Sequence, residues 1–250
     1  MLCSRTQAGA AALRAGEQIA AEFLTPFAGP EMLCVLDEGL VKLGGAGLAA
    51  ATLCAMHDVT GDERYLHFAE RLSRYILSQQ EGSGDFIHIR NYPLSTVHPT
   101  RSNFCTGQAL LGLLALHKRN GEASLLEAAS RSIAYLGGRN YGVAIHSHWM
   151  LYALEAHFAV QPKTETLNYA SRIAAGIVSG TAVVSAAHNS RRDEAGVIKR
   201  LGLRLHRDVC LQGGEHPVDV TGHAVGAPPE RGNWTARGLP EGGMGSSPAG

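Results

Sequence analysis

Residues 60–71, TGDERYLHFAER, decide the fold, because their pattern occurs three times in the chain. The shared frame is Leu-x-x-Ala-x-Arg, and it returns at residues 126–131 and 167–172. Each copy follows a short polar break, and each break follows an apolar run that is typical of a helix. A helical hairpin that repeats along a chain predicts a stacked all-α array. We expect the leucine of the frame, Leu126 in the second copy, to be buried between hairpins.

Composition excludes several classes of protein. The chain has 250 residues, of which 45% are hydrophobic, and its formal net charge is zero. A neutral chain is poorly suited to binding nucleic acid through phosphate neutralisation. No apolar run reaches the length of a membrane span, and charged residues interrupt the N-terminal segment where a signal peptide would lie. The five cysteines form no close pair, which disfavours a disulfide framework and a zinc site. We expect a soluble, cytoplasmic protein without a metal or cofactor.

The repeat divides the chain into three predicted segments. An N-terminal helix over residues 6–24 and a linker occupy residues 1–42, a hairpin domain occupies 43–180, and a poorly structured tail occupies 181–250. The tail has neither Phe nor Tyr, and its apolar periodicity is weak. The three hairpins are expected at about residues 48–80, 107–136 and 147–179.

A long insert, residues 81–105, separates the first two hairpins. Phe86 to Arg90 alternate like a short strand. A loop of this length inside a compact array is more often functional than a simple connection. Asp85, His88 and Arg90 would supply an acid, a base and an anion-binding group, and Arg101 is a second candidate partner for a carboxylate. The alternative is a solvated loop.

The turn before the third hairpin carries two histidines beside a tryptophan. His146 and His148 suit proton transfer or hydrogen bonding, and Trp149, with Tyr141, could form a stacking face for a sugar. The alternative is a helix that begins at Ser147 as N-cap with the indole in the core. A metal site formed by the two histidines is disfavoured, since no carboxylate is near in sequence.

Spacing predicts that the candidate residues meet at one end of the array. Counting back 19 residues from each repeated leucine places Gly47, Gly107 and His148 at equivalent positions. Gln108 follows Gly107 and could hydrogen-bond a ligand there. The alternative is Thr106 as a helix cap with Gln108 solvated.

Five segments carry a resemblance to a known family. They are Leu43–Gly45, Thr60–Leu66, Gly84–His88, Gly107–Leu110 and His146–Met150, in this order. Together they resemble the (α/α) toroid, six-hairpin glycosidase-like proteins, in particular the C-terminal domain of D-glucuronyl C5-epimerases and related bacterial proteins. The resemblance covers about residues 40–178. It implies an incomplete (α/α)6 toroid and a carbohydrate-active enzyme of epimerase, lyase or hydrolase type that acts on a uronate-containing saccharide.

Residue roles follow from these motifs and the resemblance together. The expected catalytic residues are His88, His146 and His148. The expected substrate-binding residues are Gln108, Trp149, Tyr141, Arg90 and Asp85. The chain departs from the family at Gln108 and Ser147, where the relatives carry acidic residues, so reduced activity is expected.

Other functions stay open at this point. The main alternative is a non-catalytic helical-repeat module that binds protein or saccharide. A second copy of the chain, or another half of the toroid, would be the partner that completes the ring. A terpenoid-cyclase-like toroid is disfavoured, because the sequence has neither an aspartate-rich metal motif nor a Cys/His zinc pattern.

Overall fold

The computed structural model describes residue 10 and residues 13–181. Within this part of the chain, six long α-helices form three consecutive hairpins. They are α1 (Leu43–Thr60), α2 (Glu63–Ser78), α3 (Cys105–Asn120), α4 (Ala123–Gly138), α5 (His148–Val160) and α6 (Thr164–Thr181). The predicted tail lies outside the described residues apart from Thr181. The described part of the predicted N-terminal helix ends in a π-helical segment, Ile19–Phe23.

Four short strands form an antiparallel sheet beside the helices. In sheet order they are β1 (Leu24–Pro26), β2 (Leu33–Asp37), β3 (Leu40–Lys42) and β4 (Ile89–Asn91). The last strand comes from the insert, and it places Arg90 opposite Val41 of β3. The all-α prediction is therefore right only in outline, and the predicted linker before residue 43 contains three strands. Strands of three to five residues show too little alternation to be recognised in a sequence.

Caps explain where the helices begin and end. Asp62 precedes α2, and its side chain accepts the N–H of Arg64 at 3.0 Å, as the sequence predicted. Gly61 and Gly121 end α1 and α3 with φ of 69°, a left-handed conformation that glycine adopts without strain. Each donates its N–H to the carbonyl oxygen four residues earlier at 2.8 Å. These caps leave only two residues between the helices of the first two hairpins.

The helices pack in two layers. The first layer contains α1, α3 and α5, and the second contains α2, α4 and α6. Five equivalent positions are buried in every helix of the second layer, displaced by 60 residues and then by 41. They are Tyr65, Ala69, Leu72, Ser73 and Ile76 in α2; Leu125, Ala129, Ser132, Ile133 and Leu136 in α4; Thr166, Ala170, Ile173, Ala174 and Ile177 in α6. The repeat in the sequence is thus a repeat of packing.

The helices of the first layer touch at backbone distance. A Cβ atom on Gly47 of α1 would lie 2.2 Å from the carbonyl oxygen of Gln108 in α3. A Cβ atom on Gly107 of α3 would lie 2.7 Å from the backbone nitrogen of Met150 in α5. No side chain fits in either contact, so glycine is required at both positions. The two contacts are equivalent by the spacing of the repeat.

The three helices of the first layer run in the same direction. Gly44 lies against Cys105 near the starts of α1 and α3, whereas Asp58 pairs with Arg119 near their ends. The glycine contact between α3 and α5 also joins their first turns. The starts of the three helices therefore lie at one end of the array, in agreement with the spacing argument. We call this end the rim; it comprises the starts of α1, α3 and α5 and the connecting segments 79–104 and 139–147.

The arginine of the repeated frame links successive helices of the second layer. Arg131 of α4 donates to the side chain of Gln80, which follows α2. Arg172 of α6 donates to the carbonyl oxygen of Gly137 in α4 at 3.0 Å. Arg71 of α2 reaches a carbonyl oxygen of the loop between β1 and β2. The conserved spacing of this arginine within the chain thus has a structural cause.

Leu125→Ala tests the position of the buried interface. The prediction that Leu126 is the buried leucine is wrong by one residue, because Leu125 is 1% exposed whereas Leu126 is only partly buried. Leu125→Ala should lower the free energy of unfolding by about 2–5 kcal/mol, as expected for an emptied core site. Leu126→Ala should cost clearly less. Chemical denaturation of both variants measures this, and equal losses would contradict the assignment.

Gly107→Ala tests the backbone contact in the first layer. Its new methyl group would overlap the backbone of α5, so the free energy of unfolding should fall by about 1–3 kcal/mol or more. Gly138→Ala is the matched control, since a Cβ atom there meets no atom within 4 Å. It should be neutral or stabilise by up to about 1 kcal/mol through helix propensity. The Tm of Gly107→Ala should therefore fall, whereas the Tm of Gly138→Ala should stay the same or rise. Thermal melts of the two variants measure this.

Candidate functional site

His88 lies buried at the centre of the insert. Its Nδ1 accepts the backbone N–H of Ser102 at 2.9 Å, and its Nε2 lies 3.0 Å from Oγ1 of Thr106. Because Nδ1 is an acceptor, the neutral ring carries its proton on Nε2 and donates it to the threonine hydroxyl. His88 thereby fastens the insert to the first turn of α3.

A charged pair borders this histidine. Arg101 Nη2 lies 2.6 Å from Oδ2 of Asp85 and 3.5 Å from Nε2 of His88. Burial lowers the pKa of His88 to about 4, and the positive charge of Arg101 adds to the effect. The imidazole is therefore neutral at physiological pH, with both nitrogens engaged. This geometry favours a positioning role for His88, and its catalytic role stays a prediction.

Tyr141 extends the hydrogen bonds from His88 to the turn before α5. Its hydroxyl donates to the carbonyl oxygen of Asn103 at 2.9 Å. Burial raises the pKa of Tyr141, and the Thr106 side chain lowers it in part. The hydroxyl also lies 3.4 Å from the carbonyl oxygen of Ser102, whose N–H donates to His88, so Tyr141 and His88 both hold this part of the insert. The hydroxyl of Tyr141 ties two connecting segments of the rim together, whereas its predicted role was ring stacking.

The two arginines of the insert have different surroundings. Arg90 donates from Nη1 to the carbonyl oxygen of Ser95 at 2.6 Å and from Nε to the side chain of Gln79. It therefore joins the middle of the insert to Gln79, the C-cap residue of α2. The side chain of Arg101 is 54% exposed, so its guanidinium is open to solvent beside Asp85. Of the two, Arg101 is the better placed anchor for a carboxylate.

Four rings gather where α3 and α5 begin. Phe104, His148, Trp149 and Tyr152 form this aromatic cluster. The ring of His148 lies 6.2 Å from that of Phe104, 5.0 Å from that of Trp149 and 6.0 Å from that of Tyr152. Trp149 and Tyr152 meet edge to face at 5.9 Å. Phe104 is 43% exposed, so the cluster presents apolar ring surface to solvent.

The sequence left two interpretations of the start of α5 open: a ligand-binding turn with an accessible indole, or a helix capped by Ser147 with the indole in the core. The structure has features of each. Ser147 is fully buried and caps the helix, since its Oγ accepts the N–H of Met150 at 3.3 Å. Trp149 is nevertheless only half-buried and belongs to the aromatic cluster. The cap positions the indole at the rim.

His146 does not join the aromatic cluster. It has φ of 52°, a left-handed backbone, and its side chain is exposed. Its ring lies against α6, where a Cβ atom on Gly176 would be 2.5 Å from Cδ2. The backbone changes direction at His146 because this residue is left-handed. His146 and His148 therefore make different contacts, although they are only two residues apart. The structure thus separates two of the three predicted catalytic histidines.

A groove of about 500 Å³ continues from the aromatic cluster between α3 and α5. Tyr152 belongs to both, and Leu111, Ala115 and Ala156 add apolar surface. Gln108 lies one turn before Leu111, with its side-chain amide oxygen, Oε1, against Gly44 of α1. An elongated ligand at the rim would have room along this groove.

Sequence reasoning missed two members of the aromatic cluster. Tyr152 stands four residues after His148 and three after Trp149, and these spacings place side chains on one face of a helix. That signal was present in the sequence. Phe104 carried none, because its position depends on how the insert folds back onto α3.

Comparison with known proteins leaves the family open. No protein-family model and no curated protein matches the chain. None of the described helices is long and apolar enough to cross a membrane. Among the described residues, no three His, Cys, Asp or Glu side chains are grouped so that they could hold a metal ion.

The pH dependence of stability tests the environment of His88. The folded pKa of about 4 lies below the ordinary value of 6.5, so the folded state prefers the neutral ring. The resulting stabilisation, about 3 kcal/mol, is complete above pH 6.5 and is lost as the pH falls towards 4. Urea denaturation at several pH values between 4 and 7 gives the free energy of unfolding at each pH. This free energy should fall less steeply with falling pH for His88→Gln than for the wild type. Identical pH dependence in the two proteins would contradict the lowered pKa and the buried environment of His88.

Proposed function

We propose that this chain binds a uronate-containing saccharide at the rim and acts on it as a carbohydrate-active enzyme of epimerase, lyase or hydrolase type. The observation that carries the proposal is that the exposed aromatic cluster and the guanidinium of Arg101 lie at the same end of the array. Arg101 lies three residues before Phe104 and within 3.5 Å of His88, which is bonded to the first turn of α3. Ring surface and a cation are thus both present at the rim.

This combination suits the chemistry of a uronate. A pyranose presents C–H groups on its faces, which pack on aromatic rings, and hydroxyl groups at its edges, which need hydrogen-bond partners. Trp149 offers the ring, and Gln108 supplies an amide with both donor and acceptor atoms. The guanidinium of Arg101 has the fork geometry that matches a carboxylate.

The enzymatic part of the proposal rests on His148, the histidine of the aromatic cluster. An imidazole beside a bound sugar would transfer a proton at the reacting carbon or oxygen. Ser147 is buried as a helix cap, and Gln108 carries no charge, so neither supplies the carboxylate that the resemblance implies for an active relative. Activity is therefore proposed to be reduced. An incomplete (α/α)6 toroid, completed by a second copy or another half, and a cytoplasmic location belong to the same proposal.

The second candidate is a non-catalytic module that binds saccharide or protein. Two observations favour it: both nitrogens of His88 are engaged, and His146 lies against α6. Only one of the three predicted catalytic histidines then adjoins the ring surface. Binding without turnover would be the outcome that selects this candidate.

Trp149→Ala and Arg101→Gln test the binding site. Each should raise the Kd for a glucuronate-containing oligosaccharide about tenfold, since each removes an interaction of roughly 1.5 kcal/mol. Isothermal titration calorimetry measures the change. Arg74→Gln is the matched control, because Arg74 is an exposed arginine of α2 that pairs with Glu31. Equal affinity in all three variants and the wild type would contradict the proposed site.

Proton exchange separates an enzyme from a binding module. The oligosaccharide is incubated with the protein in D₂O, and NMR follows deuterium at C5, unsaturated products and new reducing ends. One of these should appear with the wild type and disappear with His148→Ala. Saturable binding without any of them would favour the non-catalytic module, and absence of binding would contradict the enzyme and the saccharide-binding form of the module.

A further inference from the structure

A second groove opens in the second layer of helices, between α4 and α6. It has a volume of about 660 Å³, within the usual range for small-molecule sites. Gly137 and Gly138 form one wall, Arg172 lies on the other, and His157 lines the groove as a buried residue. None of its lining residues belongs to the rim, so the groove does not depend on the proposed saccharide site.

The equivalent interface between α2 and α4 explains why this groove is open. Leu77 stands at the position of Gly137, and Leu125 stands at the position of Thr166. The side chain of Gln80 closes the earlier interface further, since its Nε2 donates to a main-chain carbonyl of α4 at 2.9 Å. The α4–α6 interface therefore differs from the α2–α4 interface at two equivalent positions. A smaller residue, Gly137, stands where the earlier interface has Leu77, and a polar residue, Thr166, stands where it has Leu125.

A polar network replaces apolar packing at the base of the groove. His157 is 1% exposed, with Nε2 2.9 Å from Oγ of Ser130 and Nδ1 3.3 Å from Oγ1 of Thr166. Burial lowers the pKa of His157, and Lys163 adds to the effect, so the ring is neutral at physiological pH. Buried polar groups are costly unless they are hydrogen-bonded, and here each ring nitrogen has a hydroxyl partner. The groove therefore has an ordered polar base.

Positive charge dominates the lining. Two cationic side chains, Lys163 and Arg172, line the groove, compared with one carboxylate, Glu165. The guanidinium of Arg172 lies 5.4 Å from the ring centre of Tyr169 and donates from Nη2 to Gly137 at 3.0 Å. These contacts hold the guanidinium in place and use only part of its five N–H groups. A fixed guanidinium is the group that proteins use most often to bind phosphate and carboxylate oxygens, and an ammonium lining the same groove adds positive charge.

We propose that the groove between α4 and α6 binds a small molecule through an oxyanion, either phosphate or carboxylate, held by Arg172, with Lys163 adding positive charge to the same groove. The hydroxyl groups of Ser130 and Thr166 and the ring of His157 bound the space beside that anion. The remaining volume accommodates a polar body larger than the anion itself.

The test uses the full chain and two simple probes, inorganic phosphate and succinate, each titrated at constant ionic strength. The NMR signals of the His157 ring report occupancy. At least one probe should bind saturably, and the tighter of the two identifies the preferred oxyanion. Arg172→Gln should raise its Kd roughly tenfold or more, the usual effect of losing a charge-assisted hydrogen bond, whereas Lys163→Gln, which removes positive charge from the groove, should raise it about two- to threefold. Arg131→Gln, the equivalent arginine of α4, should leave the Kd unchanged.

Two further variants keep the result interpretable. Lys163 is exposed, so Lys163→Gln tests the contribution of positive charge in the groove even where Arg172→Gln unfolds the chain. Ala134→Phe places a ring in the groove from an exposed position of α4 and should abolish binding without lowering the Tm. Signal changes that never saturate with either probe would overturn the proposal. So would a Kd that is the same in the wild type, Lys163→Gln and Ala134→Phe.

Discussion

The backbone contact between helices of the first layer is the constraint on which the structure depends. Gly47 meets Gln108 and Gly107 meets Met150 at distances that leave no room for a Cβ atom. Such contacts fix the axial position of one helix against the next, because the interface has no long side chain that could adjust. The starts of α1, α3 and α5 therefore lie at one end. Whatever precedes each of these helices must gather there, which brings the sheet, the insert and the turn before α5 to the rim.

The second layer repeats one packing arrangement in three helices. Its two interfaces differ only where individual residues depart from the repeated sequence. The buried positions and the linking arginine recur in α2, α4 and α6, so the same packing serves three hairpins. Between α2 and α4 the leucines and Gln80 close the interface. Between α4 and α6 glycine and threonine replace the leucines, and a charged groove results. A framework that is stable by repetition tolerates such changes, since each hairpin contacts mainly its neighbours.

The sequence predicted the hairpins well because their signals are local. Asp62 as N-cap and the glycines after α1 and α3 could be identified from residue type alone. The buried leucine was misplaced by one residue, since a helix turns by about 100° per residue and an apolar pair such as Leu125 and Leu126 leaves its rotation ambiguous. The strands before α1 were missed because they are stabilised by pairing between segments. For the candidate site, the sequence predicted the residue types and the end of the array at which they are found. The partners of His88 could not be predicted, because they depend on the main-chain N–H of Ser102.

Electrostatics at the rim determine how a saccharide would be held. Arg101 is already compensated by Asp85 at 2.6 Å, so a uronate carboxylate must share the guanidinium with that side chain. An exposed guanidinium with five N–H groups can serve two carboxylates, but the net charge that attracts the second is small. The ring surface of the aromatic cluster must then contribute to the binding energy beside the guanidinium. Since His88 is neutral and fully hydrogen-bonded, it contributes by keeping Arg101 and the first turn of α3 in place. In the proposed function the rim therefore serves recognition first, and any proton transfer depends on the one histidine that lies among the rings.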